Sequence, residues 1–160
     1  MQHLLSEFDH ENQSTRKILE RVPEEHFDWQ PHAKSYTLRK LATHVGTMPW
    51  WATITIGQNE LDLAAPRTQQ TPSNREELLA TFDSLAAEAR EYIANLTPAQ
   101  LEEPWTLRSG DHVIVTMPKG AALRSFCFNH NVHHRGQLSV YLRLLDVPVP
   151  GMYGPSADER

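Results

Sequence analysis

The sequence predicts an all-α domain: a four-helix bundle with one small β-hairpin inserted before the last helix. Three observations lead to this class. Apolar residues recur at helical spacing over four long stretches. Runs of β-branched residues are confined to one short segment, too little strand to build a sheet-based domain. The 160 residues leave room for one core and carry no repeat or interdomain linker, so residues 1–160 read as a single domain.

The first helix is expected from about Leu4 to Arg21, with Leu4, Leu5, Phe8, Ile18, Leu19 and Val22 on its apolar side and Pro23 ending it. A polar and aromatic loop through Trp29, Pro31 and Tyr36 follows. Thr37 is the expected N-cap of the second helix, whose Leu38, Leu41, Val45 and Met48 share one face. Pro49 removes a backbone bond and predicts a kink between Gly46 and Trp50. Trp50, Trp51, Ile54 and Ile56 continue the apolar surface, and Gly57 and Asn59 can stop the helix. Residues 58–72 read as a loop.

Ser73-Asn74-Arg75-Glu76 reads as a capping box opening the third helix. Its stripe is Leu78, Leu79, Phe82, Leu85, Ala86, Ala89 and Ile93, and it ends near Asn95. Thr97-Pro98-Ala99-Gln100 is a second cap, opening a short helical turn. Two β-branched runs flank the turn signal Ser109-Gly110-Asp111 and predict the hairpin over 104–118. The fourth helix is expected from about Lys119 to Leu145, and residues 146–160, rich in Pro and Gly, as an irregular tail.

Composition narrows the function. Twenty acidic against 15 basic residues give a net charge of −5, which disfavours nucleic-acid binding. No apolar run is long enough to cross a bilayer, and the N-terminus lacks signal-peptide character, so a cytoplasmic location away from membranes is expected. The single cysteine, Cys127, cannot form an internal disulfide, in keeping with a reducing compartment.

The chemistry concentrates in Asn129-His130-Asn131-Val132-His133-His134-Arg135-Gly136-Gln137. His130 and His134 are four residues apart, one turn on the same helical face, so both rings can reach one point. A divalent metal needs at least one further ligand. His44 on the second helix is the best third donor, beside the core positions Leu41 and Val45, where an unpaired polar group would be costly. At about 100° per residue, Cys127, Gln137 and Tyr141 fall on the same stripe as the two histidines. Cys127 could be a fourth ligand or a nucleophile; as a lone helical cysteine it could equally be a small buried residue. Gln137 could hydrogen-bond a ligand histidine or a metal-bound water, or simply be a capped polar group. His133 points away from the stripe. Arg135 and Gly136 are expected to serve packing and ion pairing, the glycine admitting a close helix neighbour. Trp50 and Trp51 could line an apolar pocket beside the metal, or serve packing or a subunit interface. His3, His10, His26, His32 and His112 read as surface residues, with His10 the one that could face the interior.

His44 with the Trp50-Trp51 segment, together with His130-x-x-x-His134-Arg135-Gly136-Gln137, resembles the DinB/YfiT-like family over nearly the whole chain. The resemblance implies a helical bundle, commonly a homodimer, in which His44, His130 and His134 are the facial ligands of a divalent metal, often nickel or zinc. It also implies a small-molecule substrate and thiol S-transferase chemistry with bacillithiol, mycothiol or glutathione as cosubstrate. A metal-dependent hydrolase, or a non-catalytic, stress-induced metal-binding dimer, are the alternatives. No Glu or Asp sits on the His130–Tyr141 stripe to act as general base, and that favours the thiol route over hydrolysis.

Overall fold

In the computed structural model, residues 2–67 and 71–159 are described. Helix α1 spans Gln2–Leu19, α2 Leu38–Gly46, α3 Trp50–Gly57, α4 Arg75–Ala94 and α5 Pro98–Leu101. Short strands β1 (Glu60–Asp62), β2 (Pro104–Ser109) and β3 (His112–Pro118) form one sheet. The last long helix runs as α6 (Lys119–Ala122), a π-helical segment (Leu123–Asn129) and α7 (His130–Leu144). The expected bundle is present, with α1, the α2–α3 pair, α4 and the last helix as its four legs.

Each leg buries the face its sequence dictates. Ile18 and Leu19 of α1, Leu38, Leu41 and Val45 of α2, Leu78 and Phe82 of α4, and Leu138 and Leu142 of α7 form one core cluster. Phe8, Ala52, Ile93, Leu123, Cys127 and Phe128 form a second. Thr37 caps α2 by accepting from the Lys40 N–H. Thr97 and Gln100 form the expected capping box on α5, with Pro98 in its first turn.

Several expectations are corrected. Pro49 separates α2 from α3 instead of bending one helix. The Thr47 hydroxyl donates to the Thr43 and His44 carbonyls, closing α2, and Pro49 has no N–H with which to continue it. The cap of α4 sits one residue later than expected. Asn74 accepts from the Glu77 N–H, while the Ser73 N–H and hydroxyl donate to the Glu77 carboxylate. The hairpin over 104–118 forms, with Gly110 in the left-handed region (φ 58°) at its turn. The preceding loop contributes the unexpected strand β1, paired in parallel with β2. β1 offers one buried residue, Leu61, too short a run for a period-two signal. Its register is fixed by charge: Arg108 of β2 donates to Glu60 and Asp62, and Asp62 also accepts from the Gly110 N–H. Trp105 and Leu107 point inward, so the sheet closes a third small core with Leu61 and Ala122 against Trp50 and Trp51.

The tail is irregular, as expected, apart from one short 3-10 turn at Ala157–Glu159, and it packs on the bundle. Val147, Val149 and Met152 pack on the main core. Asp158 pairs with Arg143 and accepts from the Val149 N–H. The tail also closes a network around Arg135, which is 1% exposed. The Arg135 guanidinium donates to the Glu11 carbonyl at 2.8 Å, to Thr15 Oγ1 at 3.1 Å, to the Glu11 carboxylate and to the Tyr153 hydroxyl. Asn131, one turn earlier, donates to the same Thr15 hydroxyl. α7 is thus tied to the middle of α1, the polar stretch that interrupts the apolar pattern of the first helix. Gly136, by contrast, is exposed, and a Cβ placed on it would meet nothing within 4 Å, so the expected close neighbour is absent.

Removing one partner of a buried ion pair strands the other. Arg135→Ala is expected to lower the free energy of unfolding by about 3–5 kcal/mol, read from urea denaturation midpoints.

Candidate metal centre

α2 and α7 lie side by side in the bundle, and their contact brings three histidines to one point. His44 is in the last turn of α2; His130 opens α7 and His134 follows one turn later. His134 Nε2 lies 2.8 Å and His44 Nε2 3.4 Å from His130 Nε2. One donor atom from each ring falls within 4.8 Å of the others, and all three residues are half-buried. Two nitrogens each bound about 2.0–2.1 Å from one ion stand about 2.8–3.4 Å apart at octahedral to tetrahedral angles. The spacing of the rings therefore suits one divalent cation. Among the described residues this is the one such cluster of metal-binding side chains.

The protonation states agree. Burial, followed by the neighbouring His134 and His130 and by Lys40, pushes His44 down to about 4. Burial also lowers His130, with His134 adding to the effect and the Phe126 carbonyl opposing it. Burial lowers His134, against the raising effect of Gln137. Neutral imidazoles are the form that binds a metal. The Gln137 carbonyl oxygen, which can only accept, lies 2.7 Å from His134 Nδ1. That contact places the His134 proton on Nδ1 and turns the Nε2 lone pair towards the other two rings. Three facing nitrogens cannot satisfy one another by hydrogen bonds alone, whereas one cation accepts all three lone pairs. Of the two sequence readings of Gln137, the outer contact to a ring is the one realised.

Aromatic residues wall the cluster. The Trp51 ring meets His130 edge-on at 6.4 Å and stacks on Phe126. The Tyr36 ring meets His44 edge-on at 6.3 Å. Trp50 packs towards the sheet and lies under Arg67. Both tryptophans pack against the small core, and Trp51 in addition reaches His130. A cleft of about 470 Å³ opens from His134 and Gln137 towards Tyr36 and Tyr141, and no carboxylate lines it. Tyr36 was read only as part of a loop, and no signal marked its approach to His44. It belongs there because the Tyr141 hydroxyl, on α7, donates to the Tyr36 carbonyl.

Cys127 is not in this group. The stripe assumed uniform α-helical turns, but residues 123–129 are π-helical, and the wider turns rotate Cys127 away from His130. Its side chain is buried beside Phe8 and Ala52, and burial pushes the thiol up to about 12. His10 is exposed rather than turned inward, as are His3, His26, His32, His112 and His133.

Comparison with known proteins agrees with this architecture. The model of the DinB family matches residues 1–160, the whole chain. The chain belongs to the DinB family. It is similar to the uncharacterized protein YrdA of Bacillus subtilis (strain 168), 28% identical over 167 residues, covering 99% of this chain and 91% of YrdA. A second is YjoA of the same organism, 24% identical over 140 residues, covering 88% of this chain and 87% of YjoA. Among solved structures, a DinB-like protein from Bacillus cereus ATCC 10987 superposes with a TM-score of 0.76 at 22% identity, covering 96% of this chain and 97% of that one. The YjoA structure gives 0.71 at 17% identity, covering 99% of both chains. At such identities these structures share the DinB-like fold with this chain. The fold expected from the sequence is thereby shown.

A buried thiol pushed up by desolvation stays protonated, and the thiol is a far weaker nucleophile than the thiolate. Cys127 is expected to react with a thiol-specific reagent at least a hundredfold more slowly in the native protein than in denaturant. A native rate equal to the unfolded one would place the thiol at the surface.

Proposed function

We propose that this protein is a metal-dependent enzyme that joins the sulfur of a small thiol to an electrophilic carbon. The supporting observation is the convergence of three Nε2 atoms, one of them on His134, which also lines a cleft without carboxylates. A bound divalent cation would supply there the positive charge that stabilises a thiol in its deprotonated form.

The protein's own groups would do the rest. His44, His130 and His134 would hold the ion, with Cys127 buried in the core and not among the donors. Gln137 keeps His134 in the binding tautomer. Trp51 and Tyr36 exclude water on two flanks. In the transfer the thiol loses its proton to solvent, the sulfur lone pair forms the new C–S bond, and the leaving group departs with the electrons of the bond it breaks. This balance needs no base from the protein, which suits a cleft with no carboxylate. No carboxylate lines the cleft to serve a hydrolase as general base.

Protein purified without an affinity tag is expected to take up about one equivalent of zinc or nickel, as structural and catalytic three-histidine sites do. His44→Ala and His134→Ala should each lose that uptake. Gln137→Leu should keep the stoichiometry and weaken affinity about 10–100-fold in chelator competition. The loaded protein should then accelerate conjugation of small thiols to an electrophile such as a chloronitrobenzene. Metal uptake without any conjugation would leave the ion a structural clamp between α2 and α7.

A further inference from the structure

We propose that Lys34 and Lys40 form a cationic rim on this cleft, which selects a small organic cosubstrate carrying a carboxylate. The inference rests on the metal-dependent reading above and adds a specificity determinant to it. The chain carries five more acidic than basic residues, yet the wall of the cleft contains Lys34 and no acidic residue. Lys40 sits one helical turn before His44 on α2, so the two share a face. Its Nζ lies 4.4 Å from the centroid of the Tyr36 ring, the same ring that meets His44 edge-on at 6.3 Å. Lys34 thus lines the cleft itself, and Lys40 lies over Tyr36, which lines the cleft and meets His44.

The rim is built, not loose. The Lys34 N–H donates to His32 Nδ1 and the Ser35 N–H to the His32 carbonyl, closing a tight turn. The Tyr141 hydroxyl pins the following residue, Tyr36, to α7. Among the described residues neither lysine has a carboxylate within ion-pair distance, whereas the neighbouring Arg39 pairs with Asp28, and Lys119 with Glu103. Two unpaired ammonium groups over an uncharged, partly aromatic cleft leave a counter-charge to be supplied by what binds there. A carboxylate on the far end of the bound molecule would meet the rim while its reactive end faces His134 and Gln137. The cleft volume of about 470 Å³ suits a molecule of metabolite size rather than a peptide or a polymer.

The test compares mercaptosuccinate with the uncharged thioglycerol, titrated calorimetrically into zinc-loaded full-length protein. Mercaptosuccinate should bind at least tenfold more tightly at low ionic strength, and the margin should shrink as salt is raised. The Lys34→Ala, Lys40→Ala double variant should lose the margin while still taking up zinc and still binding thioglycerol. The corresponding double arginine variant should keep it. Equal binding of the two thiols by the wild type would overturn the inference. So would a margin that survives in the double alanine variant, which would assign the carboxylate to the zinc itself. Absence of zinc uptake would defeat the metal-dependent reading and the rim with it. Uptake with equal thiol binding would defeat the rim alone.

Discussion

The buried guanidinium of Arg135 holds the arrangement on which the centre depends. A charge at 1% exposure is tolerable only if its donors are satisfied, and here α1 and the tail satisfy them. The consequence is rotational. On α7, Arg135 and His134 are adjacent and about 100° apart, so fixing the arginine against α1 fixes the direction of the histidine. That direction is towards α2, where His44 waits. The same constraint explains why Glu11 and Thr15 interrupt the apolar face of α1: they are the sockets for α7. It also gives the tail its order, since Tyr153 reaches both Arg135 and Glu11.

A second constraint comes from two departures from regular helix on either side of the site. Pro49 ends α2, so α3 starts in a new direction and Trp51 can turn to His130. The π segment ends where α7 begins, at His130. Its wide turns let Cys127 and Phe128 both enter the core beside Phe8. The histidines that follow lie on regular α-helix, where the i, i+4 geometry holds and their Nε2 atoms come within 2.8 Å. Irregular backbone shapes the surroundings while the donors themselves stand on rigid turns, an arrangement suited to holding an ion at fixed distance.

Much of this was legible in the sequence, for identifiable reasons. Four apolar stripes specify four legs because burial is nearly proportional to apolar area and helical spacing aligns it. His130 and His134 follow from spacing alone, and His44 from being polar beside Leu41 and Val45. What escaped was tertiary in origin. The strand β1 exists because Arg108, nearly fifty residues later, supplies charge to Glu60 and Asp62. The π segment carries no local mark in Leu123–Asn129, and with it went the correct placing of Cys127. Helical glycine carries a cost, which suggests a packing role for Gly136, but a Cβ there would meet nothing within 4 Å.

Charge joins the site to its surroundings. The three rings are neutral because burial and mutual proximity disfavour their protonation, and Lys40 adds a further repulsion to a proton on His44. A lysine one turn from a candidate metal-binding histidine would be a poor neighbour if its only effect were on a bound cation, since like charges repel. Its position becomes sensible when the occupant of the cleft carries negative charge: the ammonium and the ion then attract opposite ends of one molecule. The absence of carboxylates from the cleft wall fits the same logic, because an acidic side chain there would neutralise the rim and compete for the ion. A chain that is acidic overall thus lines this cleft with Lys34 and no carboxylate.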